Sequence, residues 1–258
     1  MIQSVQRAVA ILRELAGGGR RLGVTELAER LGVAKPTVHA MLRTLEAEGL
    51  VVQDRESSRY ALGPGLVLLG NAYLDGHELR TRSLTWADQL AVQTGEAVWV
   101  GVLAGDHVLI VHHAFRPEGA VQILEVGASI PWNTCALGKA IVAFEAEAVE
   151  AGLLGGELAV LTGASVTSPE RLAEQLAAVR QRGYAVEDQE SALGEAAIAA
   201  PVVDRSGQIA GAVGVVGPVE RLLAEGRLEE FAVAVRETAR NLSRDLGAGR
   251  GLLRRAAG

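Results

Sequence analysis

Cysteine is nearly absent from this 258-residue chain: Cys135 stands alone, so no intramolecular disulfide can form and a reducing compartment suits the sequence. Aromatic residues are scarce too, at 3%, which leaves Val, Leu, Ile and Ala to fill any core. No apolar run approaches the ~18 to 20 residues that span a bilayer. The opening Met1-Ile2-Gln3-Ser4-Val5-Gln6-Arg7 lacks the basic start and apolar stretch of a secretion signal. A cytoplasmic protein with no membrane contact is expected.

The signatures of catalysis are missing as well. There is no Gly-x-Ser-x-Gly elbow, and Gly138-Lys139-Ala140 lacks the glycine spacing and the Ser/Thr of a phosphate loop. Gly211, Gly214 and Gly217 do not fit a dinucleotide fingerprint and read as close packing in a strand. His112 and His113 are adjacent, so on a strand they face opposite ways and would not share a metal. Cys135 has neither a partner cysteine nor an evident base. No catalytic residue, metal ligand or cofactor is expected, and the chain reads as a non-enzyme.

Positive charge is also in deficit, with a formal net charge of −6. It is unevenly spread: residues 1–63 hold nine Lys/Arg against seven Asp/Glu, so the acidic surplus falls in the remainder. Any phosphate contacts therefore belong to the N-terminal part.

What is present there is a pattern of short helices. Ser4 to Ala16 carries apolar residues at helical spacing, with Ser4 as a candidate cap and Gly17-Gly18-Gly19 as its end. Thr25 is a candidate cap for a second helix over Glu26–Leu31, broken by Gly32. Pro36 sits in the first turn of a third, which runs to about Glu48 and stops at Gly49. Val24, Leu27, Leu31, Val33, Val38 and Met41 form one buried face, Ala28 is small where the helices cross, and Gly32 suits the turn. This is the pattern of a helix-turn-helix whose free face, Lys35, Thr37, His39, Ala40 and Arg43, enters the major groove of double-stranded operator DNA. Leu50–Gln53 and Arg59–Leu62 alternate as two strands around a polar turn, giving a wing with Arg55 and Arg59 beside phosphates.

Gly63-Pro64-Gly65 marks a boundary, followed by the apolar run Leu66–Leu74, a helix that needs a partner. A second copy of the chain is the simplest, because a two-fold dimer presents two recognition helices to a palindromic site. The expected organisation is a DNA-binding domain over 1–63, a linker and dimerisation helix over 64–77, and a sensor domain over 78–258. The last part reads as α+β. It has helices over Leu79–Thr94, Asn133–Phe144, Pro169–Arg182 and Leu228–Leu246. Strands are expected at 97–103, 108–113, 121–124, 184–186, 196–203 and 209–216.

Several segments, in order and in both halves, match a known family. Thr25-Glu26-Leu27-Ala28, Lys35-Pro36-Thr37-Val38-His39, Arg59-Tyr60-Ala61-Leu62-Gly63-Pro64, Thr134-Cys135-Ala136-Leu137-Gly138-Lys139-Ala140, and Gly183–Glu190 with Ala197–Val202 resemble the IclR family of bacterial transcription regulators. The resemblance implies an N-terminal winged helix-turn-helix and a C-terminal GAF-like effector-binding domain with an antiparallel sheet. It also implies dimers or dimers of dimers. Carried over by motif, the effector positions are Ala136, Leu137, Glu187, Ala197, Gly214 and Val216. Glu187 stands where an Asp is usual, Gly214 and Val216 where some members have serines, and Val203 where an aromatic or His is usual.

The residues add their own reading of that pocket. Asn133 or Thr134, beside Cys135, would cap the following helix, and its free N–H groups attract a ligand oxygen. Glu187 in the same cavity would disfavour an anion and favour a polyol; alternatively it pairs with a surface arginine. The expected protein is an effector-gated repressor of a catabolic operon, with glycerol or glycerol 3-phosphate as the expected effector. A ligand-responsive activator of another operon, an enzyme with an appended DNA-binding domain, and a scaffold that only dimerises remain open beside it.

Overall fold

The computed structural model describes residues 2–17, 21–118 and 122–249, which divide into two compact units, Met1–Gly76 and His77–Gly258. In the first unit, helices α1 (Gln3–Ala16), α2 (Val24–Leu31) and α3 (Lys35–Ala47) precede a hairpin of β1 (Val51–Gln53) and β2 (Tyr60–Leu62), followed by α4 (Gly65–Asp75). Ile11, Leu27, Val38, Leu42 and Val51 are fully buried in one core. Each such side chain contributes roughly 1.5–3 kcal/mol relative to exposure.

Two expected caps fall elsewhere. Ser4 lies inside α1, whose N-cap is Ile2. Thr25 lies inside α2: Gly23 is the N-cap, and Glu26 accepts its backbone N–H at 2.8 Å. A carboxylate three residues into the helix has taken the place of the Thr hydroxyl. Gly32 adopts φ 61° and lets Val33 N–H bond to Ala28 O at 3.0 Å, closing α2 as the sequence suggests. Gly17 caps α1, while Gly18 and Gly19 lie outside the described residues.

Gly63 and Gly65 are closely packed. A Cβ on Gly63 would lie 2.3 Å from Gly49 O, and Gly65 N–H bonds to that same carbonyl at 3.0 Å. The wing is thus stitched back onto the end of α3 before α4 begins. α4 buries none of its residues, and Val67, Leu68 and Leu69 are exposed along it.

The second unit holds α5 (Glu78–Thr94), β3 (Ala97–Ala104), β4 (His107–Ala114) and β5 (Ser129–Pro131). A 3-10 turn (Trp132–Thr134) leads into α6 (Ala136–Val142), α7 (Glu147–Leu154) and α8 (Pro169–Arg182). Then come β6 (Ala185–Asp188), β7 (Glu195–Val203), β8 (Ile209–Pro218), α9 (Val219–Leu222) and α10 (Arg227–Asp245). The six strands form one antiparallel sheet in the order β5-β4-β3-β8-β7-β6. α5 and α10 pack on the sheet and on each other, while α6 packs against β7, β8 and β6 with α8 behind it.

The strand expected at 121–124 is not formed. Gln122–Glu125 is irregular, Val121 lies outside the described residues, and the edge strand is β5 instead. Ile123 and Leu124, whose apolarity suggested a strand, are exposed. The helix expected from Asn133 to Phe144 is shorter, Ala136–Val142, because the chain before it turns as a 3-10 helix. A Cβ on Gly138 would lie 2.2 Å from Trp132 O, so this turn and α6 touch backbone to backbone. The β8 glycines behave as expected for close packing: a Cβ at Gly211 would lie 2.4 Å from Gly101 O.

Candidate DNA-reading face and effector pocket

Val38, Leu42 and Leu45 are buried along α3, which turns its opposite side outward. At about 100° per residue, Ala40 and Arg43 lie near the middle of that outward side. His39 flanks them and is exposed, Lys35 is exposed at the first position of the helix, and Thr37 is half-buried at the other edge. The small Ala40 permits close approach, and the forked donors of Arg43 match a guanine edge. His39, Ala40 and Arg43 therefore share one accessible face, while Lys35 at the helix start and the half-buried Thr37 lie at its two margins.

The two wing arginines separate. Arg55 is exposed in the turn. Arg59 instead donates to Arg21 O at 2.8 Å and pairs with Glu26 at 3.2 Å. Tyr60 and Leu22 exchange backbone bonds of 2.8 and 3.0 Å, so the wing is laced to the segment before α2. Arg59 thus helps to hold the wing while its side chain stays 46% exposed.

In the second unit the strand register lays out the α6-facing side of the sheet. One row runs His113–Trp99–Gly214–Ala199–Ala185, and the next runs Ala97–Val216–Ala197–Glu187. Ala136 and Leu137, in the first turn of α6, pack into the same apolar cluster as Ala197, Ala199 and Val216. Six positions distant in sequence, Ala136, Leu137, Glu187, Ala197, Gly214 and Val216, are thus brought to one face.

The three residues before α6 hold the structure together. Asn133 donates to Ala159 O at 2.9 Å and Val166 O at 3.1 Å, and accepts from Ala159 N–H at 3.2 Å. Its amide pins the 159–166 loop and does not cap the helix. Thr134 donates to Pro131 O at 3.1 Å. The cap is Cys135, whose sulfur accepts from Gly138 N–H at 3.4 Å. Burial pushes the Cys135 thiol up to about 12, which keeps it unreactive.

Glu187 is buried and accepts the backbone N–H of Ser191 at 3.0 Å and of Glu190. It bonds to the turn after β6, not to a surface arginine. Burial pushes its carboxyl up to about 7, against the lowering effect of those bonds and with a further push from Glu190. Beside it, Lys139 and Glu190 form a buried ion pair at 2.5 Å. The lysine of Gly138-Lys139-Ala140 is therefore a structural counter-ion.

An open cavity of about 470 Å³ begins at Val216 and extends across the sheet to Trp99 and His113, with Arg116, Gln122, Glu125 and Glu195 also lining it. It lies toward β3 and β4, away from the first turn of α6. Trp99 was missed as a pocket residue, although a tryptophan among aliphatic strand residues is a signal, and His113 was read only as one of two adjacent histidines that would not share a metal. A second cavity of about 570 Å³ lies at Glu96 and Arg221, but those two charges pair with each other at 2.5 Å. Among the described residues no three His, Cys, Asp or Glu are grouped as metal ligands, and no helix is long and apolar enough to cross a membrane.

A three-helix unit with a wing, joined to an antiparallel sheet with helices on it and a lined cavity, defines a winged-helix regulator with a sensor domain. The family models agree: the IclR helix-turn-helix domain matches residues 4–55, and the bacterial transcriptional regulator IclR C-terminal domain matches residues 71–244. The chain belongs to the IclR family of bacterial transcriptional regulators.

Among its relatives is the glycerol operon regulatory protein of Streptomyces griseus, 52% identical over 250 residues, covering 96% of this chain and 98% of that one. The protein of the same name from Streptomyces coelicolor is 50% identical over 254 residues, with the same coverage. An IclR regulator structure from Alicyclobacillus acidocaldarius superposes with a TM-score of 0.81 at 33% identity, covering 96% of this chain and all of the other.

Proposed function

We propose that this chain is a cytoplasmic repressor that holds the operator of a catabolic operon and releases it when glycerol or glycerol 3-phosphate fills the sensor pocket. The observation that carries the reading is the pairing of two separate features in one chain. One unit presents an accessible reading face on α3, and the other has a lined cavity of about 470 Å³ on its sheet. The choice of glycerol draws on the two Streptomyces relatives named for the glycerol operon.

Lys35, Thr37, His39, Ala40 and Arg43 read the groove, and Arg55 meets a phosphate. The exposed Val67, Leu68 and Leu69 of α4 support pairing with a second copy, as a dimer or a dimer of dimers. The chain acts by binding and not by turnover: its thiol is buried and its one buried lysine is paired. The ligand releases DNA only to the extent that it prefers the conformation with the lower operator affinity.

A reporter fused to the promoter of the chain's own upstream region tests this in cells. Expression is expected to be low with the chain present, and to rise on glycerol or on deletion of the chain. Expression that deletion lowers would overturn the repressor reading.

A further inference from the structure

We infer that the ligand-selecting contact of this pocket is the cross-strand pair Trp99–His113, two unpartnered N–H donors that the hydroxyl oxygens of a small uncharged polyol would satisfy. The inference rests on the effector-pocket reading above and names which residues and which chemistry make the choice.

Trp99 on β3 lies directly opposite His113 on β4, with ring centroids 6.0 Å apart and ring planes at 78°. Both residues line the cavity. His113 is only 6% exposed, and its Nδ1 accepts the backbone N–H of Glu125 at 3.2 Å. That bond leaves the proton of the neutral ring on Nε2, so His113, like the indole, offers a donor. Neither Trp99 Nε1 nor His113 Nε2 has a hydrogen-bond partner among the described residues, although both atoms are enclosed. Buried donors normally find an acceptor, and a ligand oxygen would supply one once a ring rotation opens either atom, now almost closed off, to the cavity.

The surroundings set the ligand class. Ile123, Leu193 and Val216 give the lining an apolar part suited to C–H groups. Gly214 and Ala199 come next along the row from Trp99, and a Cβ on Gly214 would meet Ala199 Cβ at 2.7 Å. The charged side chains of the lining are Glu125, Glu195 and Arg116, whose Nε already donates to Glu118 O at 2.8 Å. A hydroxyl accepts from an N–H and donates to a carboxylate, so a diol meets both kinds of group. A phosphate or carboxylate only accepts, and it would face two carboxylates for one guanidinium.

Calorimetric titration of the purified full chain with glycerol and with glycerol 3-phosphate provides the test, alongside Trp99→Phe, which keeps an aromatic ring and removes the N–H. Glycerol is expected to bind more tightly than its phosphate, and Trp99→Phe to weaken glycerol about three- to tenfold, the loss of one neutral hydrogen bond. Tighter binding of the phosphate, no glycerol binding by the parent, or an unchanged affinity in Trp99→Phe would each overturn the inference. The indole N–H resonance of Trp99 in the labelled parent answers without a substitution: it is expected to move on glycerol addition, and a stationary signal contradicts the assignment. Operator affinity measured in parallel separates this from the gating reading. Glycerol bound at Trp99 with operator affinity unchanged supports the contact and overturns gating. Operator release by glycerol, equal in parent and Trp99→Phe, supports gating and overturns the contact.

Discussion

Arg59 on the second strand of the wing reaches Glu26 in the first turn of α2 at 3.2 Å. The backbone N–H of Gly23 holds the Glu26 carboxyl below its ordinary range, with Arg59 adding to the effect, so the carboxylate stays charged as an anchor. Arg55, four residues earlier and exposed, has no such tie among the described residues. The two arginines therefore predict opposite phenotypes. Arg55→Ala is expected to leave thermal stability unchanged and to reduce the salt slope of operator binding by about one. Arg59→Ala is expected to lower the unfolding midpoint of the N-terminal unit. Equal salt slopes in the parent and Arg55→Ala would remove Arg55 from the interface.

On the α3 face, Arg43→Ala is expected to cost about 1–3 kcal/mol of operator binding and to relax the sequence requirement at one base pair. Competition binding against a set of single-base operator variants checks this. Unchanged affinity and preference would show that Arg43 reads no base.

Glu187 gives a pH dependence whose sign follows from its burial. Its carboxyl is pushed up to about 7 in the folded chain against an ordinary 4.5. Between those values the folded state holds the proton more tightly than the unfolded state. The stability it contributes is complete below pH 4.5 and lost as pH rises through about 7, a change on the order of 3 kcal/mol. Glu187→Gln can still accept from Glu190 and Ser191 but does not titrate. Urea unfolding across that range should show a smaller loss of stability with rising pH in the variant, and parallel curves would contradict this account.

Gly214→Ala probes the sheet beneath Trp99. The added Cβ would lie 2.6 Å from Ile198 O, and backbone cannot easily move aside in the middle of a sheet. A loss of about 1–3 kcal/mol is expected from overpacking. A melting midpoint equal to the parent's would mean that β7 and β8 yield more readily than their register implies.

Much of the fold was legible because it is written in periodicity. The helix over Pro169–Arg182 has Ser168 accepting Arg171 N–H at 3.3 Å and Gly183 at its end, and both signals lie in the sequence. Apolar runs located β3, β4, β7 and β8. Caps were less legible: the helix expected to start at Thr25 starts after Gly23, and Cys135 took the role expected of Asn133 or Thr134, because amide, hydroxyl and sulfur can all accept from the same N–H. The strand expected at 121–124 failed because apolar content alone does not distinguish a strand from an irregular loop with exposed Ile123 and Leu124. The cavity was little legible: of the expected effector positions only Val216 lines it. Motifs found Val216, but Trp99 and His113 meet only through strand register, and no local pattern records which strands are neighbours.

The most direct test of effector-gated DNA binding is a gel-shift titration of the purified full chain on its own upstream region at fixed salt, with and without glycerol and glycerol 3-phosphate. Specific binding that glycerol weakens is the predicted result. Specific binding that neither compound changes would contradict the gating by glycerol or its phosphate on which the account rests.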